Sequence, residues 1–446
     1  KTALMTKPRS ALSVLEAIWY KNYSIVSPDN FWLSDYLNDE FGFESREYKS
    51  RSELNHWKIP EEVVPTRAVI KNARGDVLFD ATDLPLALPP LCPAVEARLT
   101  RQELEDRLVT VPDIPDARMY AWWNLYRTTP DWVFSVTQDE KHRILGADES
   151  FLVEIKTEVR DSRMVVNSRL HEGKKKETII VTAHTCHPYQ ANDDMSGVAA
   201  SVWFSEWLKT RDTQFSYLVL LAPELLGPMF WLDELESEFR KNLVGCIQLK
   251  SIANDHEMRL QKSFPGDTFL DFFAEKILPI KNDHTIRKYR ECYGNDETVF
   301  EALPYQIPSI TFTRMPTDVG IPQFKGYHTS ADNLENLDES MLVNSCEMLV
   351  ELVSKIENSA FPKLLCKGVP RLGDLGLYCP LPPGSLDSGI DYDSREMRKH
   401  TFMNCVANLA DGKICTEQMA ARYGLSHDYV LEYLKGWEKA GLLKFT

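Results

Sequence analysis

Apolar residues recur with different periods along the chain, and these periods predict where helices and strands lie. In the first 50 residues they recur every three or four positions, as in Leu12, Leu15 and Ile18. This spacing is typical of an amphipathic helix. Residues 1–50 are therefore predicted to form helices that pack against a larger domain.

The period shortens after about residue 57, where short alternating runs are separated by turn residues. Two such runs, 67–71 and 77–80, flank a turn that contains Gly75, and this arrangement predicts a β-hairpin. Similar runs continue, so we predict an inserted β-rich domain over residues 51–140. Four aromatic residues are expected to pack in its core rather than wall a cleft: Trp122, Trp123, Tyr126 and Trp132.

Apolar runs alternate with helical patterns over residues 141–362. The predicted strands are 178–183, 215–221, 245–249 and 309–313, and predicted helices separate them. Such alternation is typical of an α/β fold with a mostly parallel mixed sheet and helices on both faces. In such sheets, ligand sites lie beyond the carboxyl ends of the strands.

The last part of the chain returns to helical periods. Residues 363–395 are rich in proline, glycine and leucine and are predicted to form a linker. After it, three short helical patterns with a turn at 423–426 predict a helix-turn-helix domain over residues 396–446. The third pattern carries acidic residues beside its basic ones, so a role in protein interaction or dimerisation is expected rather than DNA binding.

Composition narrows the classes of protein that fit. The 446 residues carry a formal net charge of -15, so general nucleic-acid binding is not expected. We see no signal-peptide core at the start and no stretch of ~20 apolar residues that could span a membrane. The nine cysteines do not form the pattern of a disulfide framework. We therefore expect a soluble cytoplasmic protein. It could form a homo-oligomer through its C-terminal helical domain or its β-rich domain.

Imidazole and carboxylate side chains gather just after the predicted strand at 178–183. His184 and His187 follow it at once, and Asp193 precedes the start of a helix. A hydrolytic zinc site needs about three such ligands, an open position and a nearby carboxylate that accepts a proton. Either histidine could supply the first ligand together with Asp193.

Two later segments offer the remaining parts of such a site. Glu224 follows the strand at 215–221 and is either a general base or a further ligand. His328 lies on a loop after the strand at 309–313 and would close the site. Because the carboxyl ends of parallel strands meet at one edge of a sheet, these side chains are expected to converge.

Several residues are candidates for contact with the substrate. An enzyme acting on a free α-amine needs a carboxylate to pair with the ammonium group, and Asp296 and Glu297 are candidates. Acidic residues are also favoured in the first turn of a helix by its dipole, which is the alternative. Tyr327 and Arg314 are candidates too, with packing or an ion pair as the alternative. Cys186 lies between two histidines, but nothing else supports a thiol nucleophile.

The motifs occur in a defined order along the chain. They are His-Thr-Cys-His-Pro from His184, Ala-Asn-Asp-x-x-Ser-Gly from Ala191, Pro-Glu-x-x-Gly from Pro223, Gly-x-Asp-Glu from Gly294 and Tyr-His-Thr-Ser-x-Asp-Asn from Tyr327. This order resembles the zinc aminopeptidase superfamily, which includes secreted bacterial leucine aminopeptidases and glutaminyl cyclases. More closely, nearly the whole chain is similar to bacterial aminopeptidase-like proteins that add an inserted small β domain and a C-terminal winged helix.

The resemblance implies a zinc aminopeptidase-like catalytic domain over residues 141–362 and a winged helix over 396–446. It implies zinc ligands His187, Asp193 and His328, with Glu224 as general base beside an activated water. His184 is the alternative ligand, or it orients the substrate. The implied substrate is a peptide or an aminoacyl amide.

Departures from the family pattern modify this expectation. The two-metal aminopeptidases carry a Glu-Glu pair where this chain has Pro223 and Glu224, and an Asp where it has Lys250. A lysine ammonium cannot ligate a cation, so one zinc ion is expected rather than two. Thr298 replaces the usual Arg, which indicates a changed substrate preference. The alternatives are a ligand-sensing regulatory protein acting through the winged helix, or a one-zinc acyl-transfer or cyclisation enzyme.

Overall fold

The computed structural model describes residues 10–281, 283–292 and 294–446. The chain divides into two compact units. One contains the residues up to Phe264 and Lys281–Leu349, and the other contains Pro265–Ile280 and Val350–Thr446.

The strands, in chain order, are β1 (Glu44–Lys49), β2 (Glu53–Leu54), β3 (Trp57–Lys58), β4 (Glu62–Asn72), β5 (Val77–Asp80), β6 (Val95–Thr100), β7 (Leu108–Val109), β8 (Phe134–Ser135), β9 (Ser150–Arg160), β10 (Arg163–His171), β11 (Thr178–His184), β12 (Ser216–Ala222), β13 (Leu243–Lys250), β14 (Met258–Gln261), β15 (His284–Arg287), β16 (Ser309–Thr313), β17 (Pro362–Leu364) and β18 (Leu443–Phe445).

The α-helices are α1 (Ser10–Ile18), α2 (Pro28–Phe41), α3 (Arg101–Glu105), α4 (Gln138–Leu145), α5 (Gly197–Leu208), α6 (Leu226–Glu234), α7 (Ser237–Lys241), α8 (Phe269–Lys281), α9 (Glu297–Phe300), α10 (Glu339–Glu357), α11 (Ser385–Ser388), α12 (Arg395–Leu409), α13 (Thr416–Tyr423) and α14 (His427–Lys439). Two helices, α6 and α7, follow β12 where the sequence predicted helix between the strands at 215–221 and 245–249.

A mixed eight-stranded sheet in the order β1-β10-β12-β11-β13-β16-β14-β15 forms the centre of the first unit. The four middle strands, β12, β11, β13 and β16, run parallel to one another, whereas β10 and β14 pair antiparallel with them. Helix α5 is buried along its whole length because it contacts both β11 and α1. The predicted α/β class, with a mostly parallel mixed sheet and flanking helices, is confirmed.

The same unit contains a smaller antiparallel sheet in the order β5-β4-β9-β6. Apolar side chains on one face of these strands, among them Ile70, Phe79 and Val153, are buried in a core of their own. Strand β9 lies beyond residue 140, so the small sheet extends past the end that the sequence predicted for the β-rich domain.

The second unit contains the three predicted C-terminal helices, α12, α13 and α14, and the antiparallel pair of β17 and β18. Its core includes Phe402, Val406, Leu434 and Trp437. Leu372, from the segment predicted to be a linker, packs in this same core. The identification of these helices as a winged helix stays a prediction.

Among the described residues, no helix is both long enough and apolar enough to cross a membrane.

Candidate active site

Three of the predicted metal ligands converge near the carboxyl ends of the central strands. His187 Nε2 lies 3.7 Å from Asp193 Oδ2, and His328 Nε2 lies 3.0 Å from the same oxygen. The potential ligand atoms of these three residues all lie within 4.8 Å of one another. A sequence separation of more than 130 residues is thus closed by the fold, as the order of the strands predicted.

A second group of donors lies next to the first and shares His187 with it. It consists of His184, Cys186, His187 and Glu224, all buried, with potential ligand atoms within 4.8 Å of one another. The Nε2 of His184 contacts Asp193 Oδ1 at 3.1 Å, so this histidine holds the other oxygen of the Asp193 carboxylate. Cys186 Sγ lies 3.2 Å from His187 Nδ1, on the side of the ring that faces away from Asp193.

Asp332 and Asp194 hold the segment that carries Asp193. The Asp332 carboxylate accepts hydrogen bonds from the N–H groups of Asn192 at 2.6 Å and Asp193 at 3.0 Å. Asp194 accepts from Ser251 N at 2.9 Å and from Gly197 N at 3.3 Å. A Cβ atom at Gly197 would come within 2.5 Å of Asp194 Oδ1, so glycine is required at the start of α5. These bonds fix the position of the Asp193 carboxylate.

Burial and neighbouring charges set the protonation of the site. Burial lowers the pKa of His187 to about 3, so its imidazole is neutral at physiological pH. Burial alone would raise the pKa of Asp193, but the surrounding histidines outweigh it and keep this pKa well below the usual value. Burial is likewise outweighed at Glu224, where His187, His184 and Lys250 lower the pKa to about 2. Both carboxylates are therefore ionised.

Lys250 is the last residue of β13 and brings a positive charge to the same place. Its side chain is buried, and burial alone would lower its pKa. The charges of Asp193 and Glu224 outweigh burial and raise this pKa, so the ammonium group is retained.

Some of the site residues line a cavity of about 720 Å³. His187, Glu224, Lys250 and His328 contribute from the large sheet and its loops. Two segments, 84–90 between β5 and β6 and 120–126 between β7 and β8, contribute apolar and aromatic walls. Their lining residues include Leu84, Pro85, Leu88, Pro89, Pro90, Tyr120, Trp122 and Tyr126. A cavity of this size and mixed lining is typical of a small-molecule site.

Tyr120, in the aromatic segment 120–126, lies directly against the two histidines that are candidate metal ligands. The ring centroid of Tyr120 is 5.3 Å from that of His187 and 5.2 Å from that of His328. Tyr120 N donates a hydrogen bond to His328 O at 2.7 Å, and Ser330 N donates to Arg118 O at 2.8 Å. Two backbone hydrogen bonds thus join the loop that carries His328 to the segment that contains Arg118 and Tyr120.

The prediction that Trp122 and Tyr126 pack in a core was wrong. They are 46% and 44% exposed, and both line the cavity. Their segment runs across the cavity instead of returning to the small sheet, which short aromatic runs in a sequence cannot reveal. The prediction of core packing is confirmed for Trp132, which packs against the core of the small sheet.

Two side chains that the sequence did not single out for catalysis hold Glu224. Tyr126 donates its hydroxyl to Glu224 Oε1 at 3.1 Å, and Asn295 donates its side-chain amide to Glu224 Oε2. Asn295 lies inside the Gly-x-Asp-Glu motif, at the position that the motif leaves variable. Asn295 would have been a candidate if all polar residues of the motif, and not only the acidic ones, had been considered.

The two acidic residues predicted to bind an amine are bonded to the protein. Asp296 accepts a hydrogen bond from Leu225 N at 2.7 Å, and Glu297 pairs with Arg290 at 2.5 Å. Neither is among the described residues that line the cavity. Tyr293, before this motif, lies outside the described residues.

The other two substrate candidates differ from each other. Tyr327 lines the cavity, and its ring stacks on that of His328 with centroids 4.0 Å apart. Arg314 is buried and donates to His256 O and Asn344 Oδ1, each at 2.7 Å. It is not among the described residues of the cavity wall, so the structure brings Tyr327 but not Arg314 to the site.

Comparisons with known proteins agree with this architecture. Residues 13–359 match the family model described as "Domain of unknown function (DUF4910)". A Clostridium acetobutylicum protein named "Putative polysaccharide biosynthesis protein with aminopeptidase-like domain" is 28% identical over 397 residues, which are 88% of this chain and 86% of that protein.

Solved structures share the fold. The crystal structure of a protein called a "putative peptidase" from Clostridium acetobutylicum has a TM-score of 0.72 and 24% identity, covering 98% of this chain and 96% of that one. A zinc aminopeptidase from Bacillus subtilis has a TM-score of 0.57 and 14% identity, covering 79% and 95%. The chain thus belongs to the DUF4910 family, and its fold resembles that of the zinc aminopeptidases.

Proposed function

We propose that this protein is a metal-dependent hydrolase of peptide or small amide bonds that uses one zinc ion. The observation that carries the proposal is the convergence of His187, Asp193 and His328 within 4.8 Å at a cavity that also contains Glu224. Two imidazoles and a carboxylate are the protein ligands of a hydrolytic zinc site that keeps one position open.

The chemistry of these three residues suits zinc. A metal ligand must be a neutral imidazole or an ionised carboxylate, and His187 and Asp193 have pKa values that favour those forms. His184 contacts the second oxygen of Asp193, which is how outer partners usually orient a ligating carboxylate. This contact favours His187, rather than His184, as the proposed metal ligand. In such sites the ion supplies water activation and polarisation of the scissile carbonyl.

Glu224 is proposed as the general base. It is ionised and lines the cavity, so it can accept a proton from an attacking water and return it to the departing amine. Tyr126 and Asn295 each bond one of its oxygens and so fix the direction of the carboxylate. Tyr327 and Tyr120 are placed to contact the substrate beside His328.

Two finer forms of the proposal are removal of an N-terminal amino acid from a peptide or aminoacyl amide, which the aminopeptidase-like fold supports, and cleavage of an N-acyl amino acid, which has no free amine. Binding of an N-acyl probe against an amine probe decides between them. The name of the Clostridium relative adds small biosynthetic amides to the candidate substrates. All nine cysteines are free, which favours the reducing cytoplasm as the place of action.

The test is the zinc content of the purified chain and of three variants. Wild-type protein should contain about one equivalent of zinc. His187→Ala and His328→Ala should lose it, because each removes a ligand. His56→Ala is the control, since this histidine is fully exposed and is not among the described residues that line the cavity, and it should keep the zinc. Equal zinc in all four proteins would contradict the proposal, as would wild-type protein that cleaves neither aminoacyl amides nor N-acyl amides.

A further inference from the structure

We propose that Lys250 recognises a carboxylate on the substrate, so that the amide cleaved at this site carries an acidic group beside the scissile bond. This inference rests on the proposed hydrolase function and adds to it the chemical class of the substrate.

The first observation is the position of Lys250. It ends β13, which pairs with β11 on one side and with β16 on the other. Its side chain is 8% exposed and lines the cavity together with His187, Glu224 and His328. A group bound to Lys250 would therefore lie within the space where the amide bond is cleaved.

The second observation is that the ammonium group lacks a bonded partner. Lys250 forms no hydrogen bond and no ion pair closer than 4.0 Å with the residues that the structure describes, and its only interactions are longer-range charge effects. An ammonium group has three N–H donors, and leaving them unpaired in a buried place is costly. A ligand that supplies acceptor oxygens would remove this cost.

Other buried cations of the first unit are bonded to the protein. Arg259 pairs with Asp318 at 2.6 Å and with Glu257 at 3.0 Å. Arg314 donates to a backbone carbonyl and to a side-chain amide. Lys250 differs from both because it lines the cavity and has no hydrogen-bond acceptor among the residues that the structure describes.

The two carboxylates whose charges act most strongly on Lys250, Asp193 and Glu224, already have hydrogen-bond partners. Asp193 contacts His184 and His328. Glu224 accepts from Tyr126 and Asn295. They keep Lys250 protonated, but their contacts are with these other side chains.

The surroundings favour an anionic substrate over a cationic one. The carboxylates predicted to bind an α-ammonium group, Asp296 and Glu297, do not line the cavity. Three acidic residues do line it: Glu224 accepts hydrogen bonds from Tyr126 and Asn295, Glu62 is opposite Arg160 in the small sheet, and Asp83 is exposed. An ammonium group entering beside His187 would meet Lys250 and be repelled, whereas a carboxylate would form a charge-assisted hydrogen bond.

The experiment compares three small probes by titration calorimetry on the zinc-loaded full chain. N-acetylglycine has the carboxylate, N-acetylglycinamide is its neutral analogue, and glycinamide has a free amine. N-acetylglycine should bind at least about tenfold more tightly than the other two, because a hydrogen bond to a charged group is lost without the carboxylate. Lys250→Met should reduce its affinity to that of N-acetylglycinamide, and Lys250→Arg should restore part of the preference.

Lys325→Met is the matched control, because Lys325 is exposed and does not line the cavity, and it should bind all three probes as wild type does. Equal binding of N-acetylglycine and N-acetylglycinamide by wild type would overturn the inference, and this comparison needs no variant to fold. A preference for the carboxylate that persists in Lys250→Met would overturn it as well. The proposed function is judged separately by cleavage of the same probes: carboxylate binding at Lys250 without cleavage of any amide would reject the hydrolase and keep the Lys250 site.

Discussion

Two acidic segments, 191–196 and 294–297, lie beside residues that line the cavity, and Asp193 of the first uses its carboxylate differently from Asp296 and Glu297 of the second. Asp193 contacts imidazoles with both of its oxygens. Asp296 and Glu297 are bonded to Leu225 N and to Arg290. The difference shows that adjacent acidic residues predict a ligand site only where neighbouring segments bring further ligands. Where those segments bring hydrogen-bond donors, the same residues stabilise the loop.

The strongest way to break this comparison is to remove one carboxylate from each loop. Asp193→Ala should weaken zinc binding by more than about 100-fold, since loss of even an outer partner of a ligand costs ~10–100-fold. Asp296→Ala should keep zinc binding within a few-fold of wild type. Competition with a chromogenic chelator measures both. A large loss of zinc in Asp296→Ala, with its melting temperature unchanged, would show that the second loop is also part of the metal centre.

The pH dependence of stability sharpens the comparison. Burial raises the pKa of Asp296 to about 7, against about 3.9 in an unfolded chain. Between these values the folded chain keeps a proton that the unfolded chain releases, so the stabilising contribution is complete below about pH 4 and is lost as the pH rises through 7. Asp296→Asn cannot ionise and can still accept from Leu225 N.

We therefore expect Asp296→Asn to be more stable than wild type near pH 8, by roughly 2 kcal/mol, with the difference vanishing toward pH 4. Urea unfolding at pH 4, 6 and 8 measures this difference. A constant difference at all three pH values would mean that ionisation of Asp296 is not the cause.

The smallest expected effect concerns Asn295, whose side chain donates a hydrogen bond to Glu224, the proposed general base. Asn295→Ala removes a hydrogen bond to Glu224 and should lower kcat/KM about tenfold, with zinc content unchanged. Tyr126→Phe removes the bond to the other oxygen and should act similarly. A fall in zinc content in either variant would instead indicate that Glu224 is a metal ligand.

Much of the candidate site could be predicted from sequence because parallel strands place their carboxyl ends together. His184, Glu224 and Lys250 each lie at or just after the end of a neighbouring strand, and buried apolar runs mark those strands clearly. The choice between His184 and His187 could not be made from the sequence, since it depends on which oxygen of Asp193 each ring faces: His187 faces Oδ2, as His328 does, and His184 faces Oδ1.

The remaining misses have a common physical cause. Trp122, Tyr126 and Asn295 reach the cavity only because separate segments pack across it, and no local period records such packing. Strands β14 and β15 were not predicted either, because each is only four residues long. The residues of β15 are also partly exposed, and they lack the continuous apolar run that identifies a central strand.

The hydrogen bonds of Arg118 and Tyr120 to the His328 loop have a consequence for engineering the molecule. Excising residues 51–140 would remove Arg118 and Tyr120 and with them two backbone hydrogen bonds to the loop that carries His328. For the same reason, grafting this region from a relative would also exchange part of the support of the proposed metal site.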